Sequence, residues 1–408
     1  MVLPLDGFRV LDLTRFLSGP YCTMVLAELG ADVVKVERFP EGDDSRRLAP
    51  KVAGESYPFA MPNRSKRSLA LNLKSDRGRE LFLQLARDAD LVIENFRPGV
   101  MEKLGIDYEA VKAVRPDILY CSISGFGQTG PYRDRPGFDI MAQGVAGFLR
   151  MTGTPDGEPT KVGIAINDIA AGATAIYSIL AAHLVRQRTG EGQQIDISLV
   201  DAGLAWTVWE SGAYFGGGEL PQPTGTRHRR STPYQAYATA DGYVTIGANT
   251  DRLWQRLVTK VLDRPEWLED PRFVDLPARM EHIDELQGEI EAITTTVATD
   301  DWIDRLDRAG VPGGPVLTYD QALANPHIQA REMVVEVDHP VMGRMKTLGN
   351  PAKMSATPIS VRRPAPLLGE HTREVLLEAG LGEQEIGGLA AGGTVHDPGI
   401  TEGRTVDV

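Results

Sequence analysis

The strongest constraint on the fold is a regular alternation of strand-like and helix-like segments in the first third of the chain. The strand-like segments are short apolar runs at 8–13, 32–37, 90–96 and 117–124. Between them lie amphipathic, helix-like segments at 21–29, 76–86 and 108–114. Such alternation is typical of βαβ units, in which helices connect parallel strands and cover both faces of the sheet. We therefore predict a protein of the α/β class.

The composition changes after residue 215 and predicts a second, smaller domain. Residues 216–232 are rich in Gly, Pro, Thr and Arg, which favours a linker. Asp241 and Gly242 separate two strand-like runs and predict a β-hairpin, and helical patterns follow at 251–262, 279–296 and 300–309. We predict a large domain formed by 1–215 and 321–390, an α+β small domain at 233–320, and a C-terminal tail at 391–408.

Charge, cysteine content and hydropathy exclude several classes of protein. The 408 residues carry a formal net charge of −13, which argues against a general nucleic-acid binder. Cys22 and Cys121 form no CxxC pair, so we expect neither a disulfide framework nor a metal site. The N-terminal segment resembles no secretory signal, and the apolar, Ala-rich run at 169–185 predicts a buried helix. We expect a cytoplasmic protein that contacts no membrane.

Residues 125–130 read Gly-Phe-Gly-Gln-Thr-Gly and match the GxGxxG pattern of dinucleotide-binding proteins. That fingerprint requires a helix to begin at the motif, so that the pyrophosphate meets the helix N-terminus. Pro131 and Pro136 follow instead, in a loop-like segment. Nicotinamide or flavin binding is therefore not favoured, and we expect the loop to lie flexibly over a pocket.

Asn167 and Asp168 lie between an apolar stretch and the Ala-rich helical run. Asp and Asn are favoured N-cap residues, so either residue would suit a purely structural role. A carboxylate at a helix N-terminus is also kept ionised by the helix dipole and by free backbone N–H groups, and an ionised carboxylate is a usable nucleophile. The local sequence leaves both roles open for Asp168.

Basic residues follow several of the strand-like segments. Arg38 follows the second one and is expected to face the crevice at the carboxyl ends of the strands, where ligands bind in open α/β sheets. The others that follow this pattern are Lys66, Arg67, Arg97, Lys103, Arg133 and Arg135. Such a set suits a ligand with several phosphates, although a solvated surface with ordinary salt bridges remains an alternative.

Seven segments together resemble the class III CoA-transferases, also called the CaiB/BaiF family. They are VLDLT at 10–14 with Gly19-Pro20, LGADVVKVE at 29–37, NRSKR at 63–67, ENFRPG at 94–99, GFGQTGP at 125–131, NDIAAG at 167–172 and PLLGEH at 366–371. The resemblance covers nearly the whole chain. It implies a Rossmann-like large domain built from both ends of the chain, an inserted small domain, and a homodimer of interlocked subunits.

The resemblance also implies a mechanism. The aspartate that matches Asp168 attacks an acyl-CoA thioester, and an aspartyl anhydride and then an aspartyl-CoA thioester form. Each step exchanges one activated acyl group for another, so no metal or permanently bound cofactor is expected, and coenzyme A enters as part of the substrate.

The resemblance also implies a CoA site, whose residues can be assigned one by one to positions in this sequence. Arg38 and Lys103 would contact the nucleotide, and Asn95, Phe96 and Val100 would line the path of the pantetheine. We group Arg15 with these CoA-site residues.

Arg15 and Leu17 occupy positions where the formyl-CoA enzymes of this family carry His and Gln after the first strand. Formyl or oxalate transfer is therefore not favoured. Arg15 would suit the second carboxylate of a larger acid, so succinyl-CoA or another dicarboxylyl-CoA is the expected donor. The sequence names neither the donor nor the acceptor acid.

The sequence leaves two alternative functions open. The α-methylacyl-CoA racemases share the fold and place a catalytic histidine where this chain has Phe138, which cannot transfer a proton. A racemase or isomerase is thus the second interpretation. A non-catalytic CoA-binding protein is the third.

Overall fold

The computed structural model describes residues 2–401. Its strands are β1 Arg9–Asp12, β2 Asp32–Glu37, β3 Lys51–Val52, β4 Glu55–Ser56, β5 Arg67–Leu71, β6 Leu91–Glu94, β7 Leu119–Ser124, β8 Gln193–Ser198, β9 Tyr234–Ala238, β10 Tyr243–Gly247, β11 Gly313–Pro315, β12 Val334–His339, β13 Gly343–Leu348 and β14 Val395–His396.

The helices are α1 Ser18–Glu28, α2 Tyr57–Asn63, α3 Asp76–Ala86, α4 Val100–Leu104, α5 Tyr108–Val114, α6 Asp139–Val145, α7 Phe148–Met151, α8 Ile166–Thr189, α9 Leu199–Ala205, α10 Val208–Gly217, α11 Asp251–Arg256, α12 Leu276–Glu281, α13 Ile283–Thr294, α14 Thr299–Ala309, α15 Tyr319–Ala324, α16 Pro326–Ala330, α17 Thr372–Glu378, α18 Glu383–Ala391 and α19 Pro398–Thr401. Of the expected C-terminal tail, residues 402–408 lie outside the described residues.

The main sheet has seven strands in the order β14-β5-β2-β1-β6-β7-β8. Six of them are parallel, and β14 pairs antiparallel with β5 at one edge. Apolar residues alternate across the sheet: Val10 and Val33 belong to the core on one face, and Leu11 and Val34 belong to the core on the other. Both faces are therefore buried, as expected of a parallel sheet, and the predicted α/β class is confirmed.

Helices α1 and α8 pack against each other on one face of this sheet. Gly172 is required at their crossing, because a Cβ there would lie 2.6 Å from the carbonyl oxygen of Ser18. Helix α8 is apolar enough to pass a length-and-composition test for a membrane span, with a mean hydropathy of 1.5, but Ala170, Ala171, Ala175 and Ala182 on it lie in the protein core. The predicted buried helix is confirmed on that face, whereas Tyr177 and Leu184 on its other side are exposed.

The chain divides into two compact units. The larger one contains 2–148, 162–219 and 329–401, including the seven-stranded sheet and the β12–β13 hairpin. The smaller one contains Leu149–Lys161 and Leu220–Ile328. Its three-stranded antiparallel sheet has the order β11-β10-β9, and the β9–β10 pair confirms the hairpin predicted at Asp241-Gly242. Trp254 and Trp302 are fully buried in its own core.

Candidate active site

The candidate active site lies at the carboxyl edge of the parallel strands in the larger unit. Residues that follow β1, β2 and β6 line two cavities there, and Arg15 and Phe96 line both. The first cavity has a volume of about 340 Å³, and the second, which contains Asp168, about 270 Å³. We call them the basic-rim cavity and the acyl cavity. This location agrees with the general rule for ligand sites in open α/β sheets.

Four cationic side chains line the basic-rim cavity, together with acidic groups that neutralise part of their charge. The cationic ones are Arg15, Arg38, Arg47 and Lys74. Arg38 forms ion pairs with Asp44 at 2.7 Å and with Glu41 at 3.9 Å, and its side chain is 44% exposed. Exposed ion pairs of this kind are weak, so the guanidinium can exchange its partner for a phosphate at little cost.

The segment that carries Arg15 is anchored by its backbone. Asn95 accepts a hydrogen bond from the Arg15 N–H and donates one to the Arg15 carbonyl oxygen, both at 2.8 Å. Lys35, fully buried, donates to the Thr14 carbonyl oxygen at 2.7 Å. Asp43 accepts from the N–H of Phe16, whose φ is +63°. Asn95 therefore serves mainly to position Arg15.

The Arg15 guanidinium lies between the two cavities. It stacks on the Phe96 ring at 4.4 Å and forms an ion pair with Asp44 at 3.2 Å. Three arginines, Arg15, Arg97 and Arg135, line the acyl cavity. Across residues 2–401, neither Arg97 nor Arg135 has a carboxylate partner. The acyl cavity thus combines one carboxyl group with an excess of positive charge.

Asp168 lies in the first turn of α8 and does not cap it. The helix begins at Ile166, and its N-cap residue, Ala165, makes no side-chain bond. Asp139, at the start of α6, supplies the cap: its Oδ1 accepts hydrogen bonds from the N–H groups of Asn167 at 2.8 Å and Asp168 at 3.4 Å. The structural role considered for Asn167 or Asp168 was therefore wrong, because a residue distant in sequence performs it.

The electrostatic expectation for Asp168 was wrong as well. Burial and, to a smaller extent, the charge of the neighbouring Asp139 together raise the pKa of this carboxyl from 3.8 to about 7. The backbone N–H groups that were expected to stabilise the carboxylate are occupied by Asp139. Among the described residues no side chain donates to the Asp168 carboxylate or pairs with it. The ionised form of such a carboxyl is reactive, because its charge has no hydrogen-bond or ion-pair partner.

Asn167 has a structural function beside Asp168. Its Nδ2 donates to the Leu199 carbonyl oxygen at 2.9 Å, which ties the start of α8 to α9. Gly203 in α9 leaves room for this amide, because a Cβ there would lie 2.1 Å from Nδ2. The position of Asp168 thus depends on Asn167 through α9 and on Asp139 through α6.

The predicted CoA-site residues are only partly brought together. Arg15, Asn95 and Phe96 line the acyl cavity, and Arg38 lines the basic-rim cavity. Val100 begins α4 and Lys103 is exposed on the same helix, and neither lines these two cavities. Phe138, the residue that replaces the racemase histidine, lines the acyl cavity.

Lys66 and Arg67 were wrongly grouped with the phosphate-binding candidates. Lys66 is completely buried and pairs with Asp12 at 3.0 Å. Arg67 begins β5, at the opposite edge of the sheet from the two cavities, and pairs with Asp32, Glu374 and Glu378. The sequence did not indicate β5 as a strand, so the two residues could not be assigned to its amino end.

Three residues in or next to the site were not identified from the sequence. They are Asp139, which caps α8; Glu94, whose carboxylate accepts from the Phe96 N–H at 2.8 Å; and Ser124, the last residue of β7, which lines the acyl cavity. Burial raises the pKa of Glu94 to about 7. The position of Asp139 directly after Phe138, in the stretch compared with the racemases, was a usable signal.

Comparisons with known proteins agree with this geometry. The sequence profile described as CoA-transferase family III matches residues 5–372. A succinyl-CoA:glutarate CoA-transferase of Mus musculus is 38% identical over 92% of this chain and 86% of its own length. A succinyl-CoA:mesaconate CoA-transferase of Haloarcula marismortui is 42% identical over 92% of this chain and 96% of its own length. The crystal structure of a CaiB/BaiF family protein from Brucella suis superposes with a TM-score of 0.84 at 38% identity, covering 93% of this chain and all of that one.

The parallel sheet, with a carboxyl group in a cavity at its carboxyl edge, makes this an α/β protein with a cavity at the usual ligand position of that class. The chain belongs to CoA-transferase family III and is a class III CoA-transferase.

Proposed function

We propose that the enzyme transfers CoA from succinyl-CoA or a related dicarboxylyl-CoA to a second dicarboxylic acid through covalent intermediates on Asp168. The observation that carries this proposal is the Asp168 carboxyl, largely buried and without a side-chain partner in the described residues, in a cavity lined by three arginines. A buried carboxylate is an activated nucleophile, and the arginines neutralise the charge of an anionic substrate.

The reaction consists of four exchanges. A carboxylate oxygen of Asp168 attacks the thioester carbonyl carbon, the C–S bond breaks, and CoA thiolate leaves an aspartyl acyl anhydride. The thiolate attacks the aspartyl carbonyl of the anhydride, which releases the donor as a free carboxylate and forms an aspartyl-CoA thioester.

The acceptor carboxylate then attacks that thioester, which forms a new anhydride and frees the thiolate again. Attack of the thiolate on the acceptor carbonyl gives the new acyl-CoA and regenerates Asp168. No proton is transferred in net terms, so no general acid or base is needed.

The lining of the acyl cavity favours this reaction over racemisation. Two-base racemisation at the α-carbon needs two groups that can exchange a proton near neutral pH. Asp168 is one such group, but the other ionisable residues lining the described cavity are arginines, which stay protonated. Phe138 occupies the place of the second base.

Dicarboxylic acids are the substrate class that the arginines and the relatives both support. Arg15 is the residue we assign to the distal carboxylate, because it reaches both cavities and its pair with Asp44 is partly exposed. The mouse and Haloarcula relatives are described as acting on succinyl-CoA with glutarate and mesaconate. We propose acids of this size for the present enzyme.

For the CoA moiety, the two adjoining cavities suggest an arrangement. The nucleotide would occupy the basic-rim cavity, with Arg38 on its phosphates, and the pantetheine would pass Asn95 and Phe96 into the acyl cavity. Val100 and Lys103 remain part of the proposal, with less support from their positions on α4.

We also propose a homodimer with interlocked subunits. Helix α10 has no buried residue in the described structure, and Trp209 and Phe215 on it are 79% and 82% exposed. Large exposed aromatic side chains on one helix favour a contact surface, and a second copy would cover this one. We keep the inserted small domain at 233–320 and a cytoplasmic location as parts of the proposal.

Incubation with a panel of acyl-CoAs and free acids, followed by mass analysis of the CoA esters, tests the function. We expect exchange of CoA between succinate and acids such as glutarate or mesaconate, and no exchange by Asp168→Ala. Solvent deuterium at the α-carbon without acyl exchange would support a racemase instead. Binding of acyl-CoA with neither exchange nor adduct would identify a non-catalytic protein.

A further inference from the structure

A buried ion pair contacts the segment that carries Arg15. Lys35 in β2 and Asp43, a few residues after that strand, are 3.0 Å apart, and their side chains are 0% and 1% exposed. The cost of removing two charges from water often exceeds their mutual attraction, and apolar side chains of similar size often stabilise a fold equally well. Stability alone therefore does not explain why two charges are buried here.

The two members of the pair bind the backbone on either side of Arg15. The Lys35 ammonium donates to the Thr14 carbonyl oxygen at 2.7 Å. On the other side, Asp43 Oδ1 accepts from the Phe16 N–H at 3.2 Å. The ion pair thus holds the residue before Arg15 and the residue after it.

The segment held in this way has a strained backbone. Phe16 has a φ of +63°, in the left-handed region that residues with a Cβ rarely adopt. Such a conformation persists only where its surroundings enforce it, and it is concentrated at functional sites. Here it lies next to Arg15, the residue that we assign to the distal carboxylate and that lines both cavities. The buried pair supplies contacts that enforce this conformation.

The same pair also fixes the counter-ion of Arg15. Asp43 begins the short 3₁₀ turn at 44–47, because its Oδ1 accepts from the N–H and the hydroxyl of Ser45 at 2.9 and 2.8 Å. Asp44 in that turn forms the ion pair with Arg15 at 3.2 Å. The buried pair therefore positions both the guanidinium and the carboxylate that the guanidinium leaves when a substrate carboxylate binds.

We infer that Lys35 and Asp43 are positioning residues that direct Arg15 toward the distal carboxylate of a dicarboxylyl-CoA. This inference rests on the proposed function. Both side chains are buried, so they act through Arg15 and not by contact with the substrate. Their loss lowers the preference for substrates that carry a second carboxylate.

A double substitution, Lys35→Met with Asp43→Asn, tests the inference. It removes both charges at once, so neither is left buried without its partner, and the new amide oxygen can still accept from the Phe16 N–H. The measured quantity is the KM for succinyl-CoA divided by the KM for butyryl-CoA, with the same acceptor acid. We expect this ratio to rise about 10-fold, because a displaced guanidinium loses part of a charge-assisted hydrogen bond.

A double-mutant cycle separates the positioning of Arg15 from a general structural effect. In the Arg15→Met background the KM ratio has already lost the contribution of the guanidinium. Adding the Lys35 and Asp43 substitutions should then leave the ratio unchanged, because residues that act through one another are not additive. General damage to the fold would act on both substrates alike and would keep the ratio of the wild type.

Arg64→Met with Glu28→Gln is the matched control. This ion pair is buried to a similar degree, with side chains 5% and 0% exposed and atoms 2.7 Å apart, and it lines neither cavity. The control is expected to keep the KM ratio of the wild type, even where it lowers Tm.

The possible results are distinct. If the wild type exchanges no CoA, the proposed function itself fails. If Arg15→Met raises the KM ratio but the double substitution does not, the positioning role is refuted while the transferase stands. A rise of equal size in the Arg15→Met background would refute it as well.

Asp43→Asn alone answers the question if the double variant does not fold. It keeps the acceptor for the Phe16 N–H but removes the charge that pairs with Lys35. We expect the KM ratio to rise about threefold, the effect of weakening one hydrogen bond in the support of Arg15. An unchanged ratio in this variant would refute the positioning role.

Discussion

Replacing Asp168 by Asn is expected to stabilise the protein at neutral pH while it abolishes transfer. The carboxyl is largely buried and its pKa is raised to about 7, whereas the same group in the unfolded chain has a pKa of 3.8. The native state therefore binds this proton more tightly than the unfolded state does. It loses stability as the pH rises through the interval between those two values.

The free-energy cost of keeping Asp168 ionised in the folded protein follows from the two pKa values. A difference from 3.8 to about 7 corresponds to about 4 kcal/mol, present in full above pH 7 and absent below about pH 4. Asn has nearly the same shape and carries no charge, so Asp168→Asn removes this cost. About 4 kcal/mol is an upper limit, because the Asn amide also needs hydrogen bonds in the cavity.

Urea unfolding of both proteins between pH 4.5 and 8.5 measures the effect. The free energy of unfolding of the variant should exceed that of the wild type at pH 8, and the difference should shrink steadily toward pH 4.5. A variant that is equally stable at pH 8, or a difference that does not depend on pH, would refute the argument that burial of Asp168 destabilises the fold.

Three further substitutions test the surroundings of Asp168. Asp139→Asn keeps the acceptor for the Asn167 N–H but removes a charge that raises the pKa of Asp168. The acid limb of the kcat/KM–pH profile, expected near pH 7, should therefore move to lower pH. An acid limb that does not move would contradict this effect of Asp139. Arg15→Met should raise the KM for succinyl-CoA about 10- to 100-fold relative to the KM for butyryl-CoA, which corresponds to the usual free energy of one charge-assisted hydrogen bond. Equal effects on the two substrates would show that Arg15 does not bind the distal carboxylate. Gly203→Ala should lower the free energy of unfolding by about 1–3 kcal/mol, because the new Cβ would meet the Asn167 amide. The control, Gly212→Ala, places its Cβ in open space and should not lower it. Equal Tm values for the two variants would refute a clash at Gly203.

The sheet could be predicted from the sequence because its central strands are apolar runs bounded by clear helices. The predicted helices at 76–86 and 108–114 match α3 and α5 at both ends. Strand β8, with the sequence QQIDIS, has four polar residues among its six and was not predicted, and β14 is two residues long. The stretch at 200–214 is helix-like throughout in sequence, but it forms two helices, α9 and α10, separated near Trp206. Short polar edge strands and helix breaks without Pro leave little local signal.

Residues of the site that directly follow an apolar strand could be predicted from the sequence. Features of the site that depend on tertiary contacts could not. Arg38 and Asn95 follow strands and lie at the cavities as expected. The capping of α8 by Asp139 depends on how α6 packs, and no pattern around Asp168 encodes it. The pKa of Asp168 likewise depends on burial, which reversed the expectation based on the helix dipole.

Chemical trapping of Asp168 tests the central claim most directly. The enzyme is incubated with succinyl-CoA, treated with hydroxylamine, digested and analysed by mass spectrometry. We expect an aspartyl hydroxamate at residue 168, dependent on acyl-CoA and missing when free succinate and CoA are supplied instead. Unmodified Asp168 in an enzyme that actively exchanges CoA would contradict covalent catalysis at this residue.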